Sequence, residues 1–292
     1  MSARRKSPDA APGATRTLIV TADDFGRDLA VNEAVERGHR DGILTCASLM
    51  VAEPGAADAV ARARHLKRLG VGLHLTFVDG RPMLPPERIP ALVGGDGRFR
   101  ADPLTQGLRL FFSPPARRQL AAEMRAQFDA FRATGLALDH VNGHHHFHVH
   151  PVIQRNLLRL AAEYGVTAVR VPIMRQAAAG RRRNFAERSS AWQGERLRRR
   201  LATAGILAND EIFGLAESGH VTAATIRDAL ARLRPGIGEV YCHPVARQWR
   251  EGDPWPRDYD GLGELAALLD PGIGELIRAK GIRLATFREA VR

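Results

Sequence analysis

Five of the chain's 11 histidines fall in one short run, Val141-Asn142-Gly143-His144-His145-His146-Phe147-His148-Val149-His150. Neutral imidazole is the commonest protein metal ligand and titrates unaided near neutral pH. Alone, such a run is compatible with a solvated turn. It gains meaning from Asp23-Asp24 and the lone His74, which sit upstream at comparable positions in their own strand-like segments. One carboxylate and two imidazoles would half-fill a coordination sphere and leave room for water and a substrate oxygen. Mixed nitrogen and oxygen ligation favours one Zn²⁺ ion, with Mn²⁺, Co²⁺, Fe²⁺ or the less suited Mg²⁺ as alternatives.

Side chains that follow one another along an extended backbone point in different directions. One member of the Asp23-Asp24 pair can then hold the ion while the other, Asp23, takes a proton from water as general base. An isolated strand histidine is usually a core residue; with further ligand segments present, His74 reads as a ligand. If the histidine run stays extended, His144, His146 and His148 share a face and His145 opposes them. His144, nearest the strand end, is the expected ligand; His146 contacts substrate, supports the ligands from behind or is structural, and His148 and His150 build the loop and the next helix. His243, in Tyr241-Cys242-His243-Pro244, is the candidate acid, an imidazolium able to protonate a departing amine. Cys242 faces away from it and packs in the wall. Arg170 is placed to orient Asp23 or a substrate oxygen.

These residues need elements to carry them. Short β-branched runs alternate with amphipathic ones: strands are expected at 17–20, 43–51, 71–77, 136–141, 168–171, 211–213 and 238–242, with an eighth at 282–286. Helical segments lie between, including 28–39, 116–133, one from Pro151 to Tyr164, and one capped by Thr222. Strands separated by helices imply parallel pairing and right-handed crossovers. Seven or eight such units predict a single TIM-like α/β domain, a (β/α) barrel, over 17–292. Its insertions fall at about 79–115, a candidate substrate lid, and about 173–205. Asp23-Asp24, His74, Asn142 to His148, Arg170 and His243 all fall at carboxyl ends of expected strands, where parallel barrels collect catalytic groups.

A chain of 292 residues with 45% hydrophobic content can bury a full core. No apolar run is long enough to span a bilayer. Residues 1–16 read as a flexible basic tail lacking the apolar core of a secretory signal, so a cytoplasmic protein is expected. Two cysteines, Cys46 and Cys242, argue against a disulfide scaffold or a thiolate zinc site. The net charge of +11 concentrates between Arg175 and Arg200, in a solvated arginine-rich helix or a peripheral contact with the anionic inner face of a membrane. Nucleic acid is not expected as a partner, because the basic stretch carries few stacking aromatics and no reader motif.

The segments TADDFG (21–26), GLHLT (72–76), VNGHHHFHVHP (141–151) and YCHP (241–244) resemble the YdjC-like carbohydrate deacetylases over almost the whole chain after the tail. The stretches at 31–51 and 126–144 and the triplet Arg170-Val171-Pro172 are most similar to the hopanoid-biosynthesis-associated branch. The resemblance implies a (β/α) barrel and metal-dependent hydrolysis of an N-acetyl group on an amino sugar. It implies Asp24, His74 and His144 as metal ligands, Asp23 as base and His243 as acid. Arg170, Asn142 and His146 are left to bind or orient the substrate. The branch implies the N-acetylglucosaminyl headgroup of a hopanoid glycolipid; soluble chitooligosaccharides are the alternative. This chain departs from other family deacetylases in having Asn142 for their usual Asp, and from the branch in having His145 where Lys is common. A reading of another class is a basic membrane-associated, metal-binding accessory protein without catalysis.

Overall fold

The β-branched run that opens at Thr17 grows into β1 (Arg16–Phe25) in the computed structural model, which describes residues 15–174 and 185–291, with the backbone alone for 185–190. Most of the basic tail and the triplet at 181–183 lie outside the described residues. In chain order there follow α1 (Leu29–Asp41), β2 (Cys46–Leu49), α2 (Ala56–His65), β3 (Gly70–Leu75), α3 (Pro103–Phe112), α4 (Pro114–Ala133) and β4 (Leu138–Gly143). Then come α5 (Pro151–Tyr164), α6 (Phe185–Thr203), β5 (Glu211–Phe213), α7 (Ala223–Arg232), β6 (Gly236–Cys242), α8 (Gly261–Leu269), α9 (Pro271–Ala279), β7 (Arg283–Leu284) and α10 (Phe287–Val291).

Strand pairing is parallel throughout, in the order β4-β3-β2-β1-β6-β5, with β7 on β1. The expected strand at 168–171 is not a regular one. Its backbone exchanges bonds with Val141 on one side and with Leu207 on the other, making single bridges only, and Pro172 has no N–H with which to continue. Those bonds, with Ile212 N–H donating to the Ile173 carbonyl, join β4 round to β5 and close a barrel of seven staves. The expected eighth strand shrinks to β7, a two-residue stub beside β1.

Local chemistry sets the element ends. Asp28 caps α1 by accepting from Ala30 N–H at 2.8 Å. Ser113 caps α4, whose first turn takes in Pro114 and Pro115 because neither needs a donor there; the helix therefore starts two residues before the expected Ala116. Pro151 opens α5, and Thr222 and Thr225 form a reciprocal cap on α7. The stretch expected as a lid at 79–115 is anchored. Ile89, Leu92, Val93, Phe99 and Leu110 are buried in the main core, and the Glu123 carboxylate accepts from Met83 and Leu84 N–H.

Alternation along β1 separates two cores. Leu18, Val20 and Ala22 pack outward with helix residues such as Val35, Ile226 and Leu268. Inward, Ile19 packs with Cys46, Ala168 and Phe287, which plug the barrel floor. Above that plug the interior is polar: Thr21, Ser48, His140, Arg170 and Glu239 are all buried. Gly72 is required at this level, since a Cβ there would lie 2.5 Å from the His140 ring. Unpaired, such groups would each cost several kcal/mol, on the order of 2–7. Here they bond to one another and hold the floor of the site.

Candidate active site

At the carboxyl end of β1 the pleat breaks. Asp24 adopts φ of +63°, and the β1–β2 register shifts between Ala22 and Phe25. The expected divergence of Asp23 and Asp24 therefore fails: the left-handed residue swings both carboxylates into one cavity of about 240 Å³. His74, His144, His145, His146, Tyr241, His243 and Tyr259 also line it. The histidine run is not extended either. Left-handed φ values of 51° and 53° at His145 and His146 turn the chain, so His144, His145 and His146 all reach the cavity. His148 turns inward, its Nε2 lying 2.9 Å from the Arg170 carbonyl, and His150 caps α5 by accepting from Val152 N–H.

Asp24 Oδ1 lies 3.0 Å from His144 Nδ1 and 3.3 Å from His74 Nε2. Neither approach lines up as a hydrogen bond, and the buried oxygen has no hydrogen-bond partner. An orphaned carboxylate oxygen facing two imidazole nitrogens fits a cation, and the three residues can converge on one ion. Asp24 Oδ2 is held by Arg27 Nη1 at 2.8 Å, and Arg27 Nη2 reaches Asp79 at 3.0 Å. Burial would raise the Asp24 pKa, but His144 and Arg27 outweigh it and hold the carboxyl well below its usual range. Asp79, His144 and His145 form an adjacent, more exposed group of metal-competent residues sharing His144.

Asp23 is oriented from the other side. Its Oδ2 accepts from Arg170 Nη1 at 2.5 Å and its Oδ1 from Asn142 Nδ2 at 3.0 Å. Burial opposes the charge, yet Arg170 and His74 dominate and the carboxyl stays ionised far below its ordinary pKa. Arg170 is wholly buried and its other nitrogens donate to Glu239 at 2.9 and 2.7 Å, so it orients Asp23 and is not a surface ion pair.

Asn142 joins the two halves. An ionised Asp23 can only accept, so the amide NH₂ faces it and Ser48 Oγ (2.8 Å), leaving Oδ1 for His74 Nδ1 at 2.7 Å. His74 must then carry its proton on Nδ1, which frees the Nε2 lone pair towards Asp24. The chain continues from Ser48 to His140 Nε2 (3.0 Å) and from His140 Nδ1 to Asp139 (2.9 Å). Asp139 also accepts from the Phe287 and Arg288 N–H groups that begin α10.

His243 follows β6 with its ring 5.4 Å from that of Tyr241 and 5.2 Å from that of Tyr259. Burial pushes its pKa down to about 4, against the pull of Asp24 and Asp23. At pH 7 in the metal-free protein it is therefore neutral, and must gain a proton before it can serve as the expected acid. Its backbone N–H donates to the buried Glu264 carboxyl, itself pushed up to about 7 by burial. Cys242 is buried in the wall, as expected.

Reasoning from sequence missed Arg27, Asp79, Glu239, Tyr259 and Glu264. Arg27 alone had a signal, a cation directly after the TADDFG motif and three residues beyond Asp24; the others depend on distant elements.

Relatives agree with this architecture. The chain is 42% identical over 155 residues to the carbohydrate deacetylase of Brevibacillus brevis, covering 53% of this chain and 59% of that protein. It therefore spans less than two thirds of that relative's length. The carbohydrate deacetylase of Geobacillus stearothermophilus is 29% identical over 276 residues, covering 94% of this chain and 98% of the relative. A crystal structure from Enterococcus faecalis V583, assigned provisionally to cellobiose-phosphate cleavage, shares the fold with a TM-score of 0.73 at 24% identity, covering 94% of this chain and 98% of that one. The family model described as YdjC-like protein matches residues 17–279, and the chain belongs to that family.

Proposed function

We propose that the protein is a metal-dependent deacetylase that hydrolyses the N-acetyl group of an amino sugar. The observation that carries the reading is the pair of unlike carboxylates: Asp24 with an orphaned oxygen facing His74 and His144, and Asp23 ionised beside it without facing the same ring atoms. A divalent ion held by Asp24, His74 and His144 would polarise the acetamide carbonyl and bring the pKa of water towards neutrality, Zn²⁺ being favoured by the donor set. Asp23, fixed by Arg170 and Asn142, takes the attacking water's proton. His243, neutral at rest, receives that proton and passes it to the departing amine nitrogen. Acetate and a free amino sugar are released. His146, whose ring lies 5.1 Å from Tyr241, and the Tyr259 ring supply walls for the sugar.

The cavity has room for on the order of eight waters at ~30 Å³ each, the scale of a sugar ring and its acetamido group. A lipid tail would stay outside. The net charge of +11 and the motifs similar to the hopanoid-associated branch favour an N-acetylglucosaminyl hopanoid over soluble chitooligosaccharides, with the protein working at the inner face of an anionic membrane. No described helix is long and apolar enough to cross a membrane. Acetate release from N-acetylglucosaminyl lipid and from N,N′-diacetylchitobiose, with metal-stripped and zinc-reconstituted protein, tests the reading. Replacing Asp24, His74 and His144 together must abolish release; normal turnover in that variant would end the proposal.

A further inference from the structure

The outward face of α3 is unusual for a helix in water. Its inward face is fixed, Gln106 Nε2 donating to the Phe77 and Leu92 carbonyls at 3.0 Å each, and Leu110 is buried in the core. Outward, Leu104 is 71% exposed, Leu108 49%, Phe111 45% and Phe112 80%. The spacing of these positions puts them on one side of the helix. Apolar residues exposed singly need no explanation, but a stripe of four on one ten-residue helix marks an interaction surface.

Charge says what meets it. From Pro103 to Ala122 the chain carries Arg109, Arg117 and Arg118 and no acidic residue. Asp102, just before, is occupied in capping α3 through Leu104 and Thr105 N–H. A second copy of a chain of charge +11 would bring like charges together at this face; an anionic bilayer would be attracted by them. Leu and Phe on one side with flanking Arg is the composition of a helix lying in a lipid interface.

Position ties the stripe to the site. The Phe111 ring packs 4.4 Å from His150, at the end of the histidine run whose first members line the cavity. On α6, which packs against the same run, Trp192 is 57% exposed with the Arg196 guanidinium 5.7 Å from its ring centre.

We infer that α3 docks this protein on an anionic bilayer. Leu104, Leu108, Phe111 and Phe112 enter the interface, and Arg109, Arg117 and Arg118 meet the headgroups. The cavity lined by the first members of the same histidine run then receives a lipid-linked amino sugar; this last clause rests on the deacetylase reading, whereas the docking itself does not.

The test is vesicle flotation of the full chain and of a Leu108→Glu/Phe112→Glu variant. Vesicles of phosphatidylcholine alone are compared with about three parts phosphatidylcholine to one part phosphatidylglycerol. Acetate release from N,N′-diacetylchitobiose and from N-acetylglucosaminyl lipid, and light scattering, are measured on the same samples. The unaltered protein should float with the anionic vesicles only, and the variant should bind them on the order of a hundredfold more weakly while its turnover of N,N′-diacetylchitobiose stays within about twofold. Failure of the unaltered protein to bind, or equal binding by the variant, overturns the inference. So does a dimer in solution that the variant dissociates without any vesicle binding. Vesicle binding lost in the variant, with no acetate released by either protein from N,N′-diacetylchitobiose or from N-acetylglucosaminyl lipid, overturns the deacetylase reading and upholds the docking.

Discussion

Replacing Asn142 with Leu removes three hydrogen bonds at once, to His74 Nδ1, Asp23 Oδ1 and Ser48 Oγ, in a fully buried position of similar volume. Without the amide oxygen, nothing holds the His74 proton on Nδ1, and the tautomer with Nε2 protonated competes with ligation. Loss of an outer partner of a metal-bound histidine typically costs 10–100-fold in affinity, about 1.4–2.7 kcal/mol. Asn142→Asp should behave differently. Its carboxylate still accepts from His74 Nδ1–H, so metal affinity is kept. A second negative charge at hydrogen-bond distance from Asp23 raises the pKa of that pair, and the acidic limb of the rate profile moves to higher pH. Zinc titration of metal-free protein by calorimetry, alongside pH–rate profiles, separates the two effects. Zinc affinity in Asn142→Leu within about twofold of the unaltered protein would refute the tautomer argument.

Three further outcomes follow from the same geometry. Asp23→Asn should retain zinc and lose turnover by about 10²–10⁴-fold, whereas His74→Ala should lose zinc itself; metal analysis beside acetate release checks the split. Arg170→Met leaves Glu239 buried without its cation and should cost about 3–5 kcal/mol, lowering the melting temperature by roughly 6–15 °C; an unchanged melting curve would contradict the buried network. His148 has a pKa pushed down by burial to about 4, below its ordinary 6.5. The folded state thus binds fewer protons, so its contribution is present above pH 6.5 and is lost as pH falls through 4, about 3 kcal/mol in all. Urea denaturation of metal-free protein across that window should show this acid loss, and His148→Gln should reduce it by about 3 kcal/mol, leaving the share of His243, whose pKa burial also lowers to about 4.

What the sequence conveyed best was what local chemistry fixes. β-branched runs, helix caps at Asp28, Pro151 and Thr222, and metal-competent residues at strand ends were readable because each depends on neighbours in the chain. Asp24 and His145–His146 show where that reasoning stops. Alternation presumes an extended backbone, and left-handed φ values at these non-glycine residues send side chains where a regular strand would not. The stave at 168–171 lost its regularity to a divided hydrogen-bonding pattern and a proline. Glu239, Asp79 and Glu264 act through partners tens to hundreds of residues away, which no local pattern records.

The most direct measurement is anomalous diffraction at the zinc edge from crystals of the zinc-loaded protein. One strong peak is expected within about 2.0–2.3 Å of donor atoms of Asp24, His74 and His144, with Asp23 outside bonding range. A peak on Asp79 and His145 that leaves Asp24 and His74 empty, or no peak in the cavity, would contradict the account.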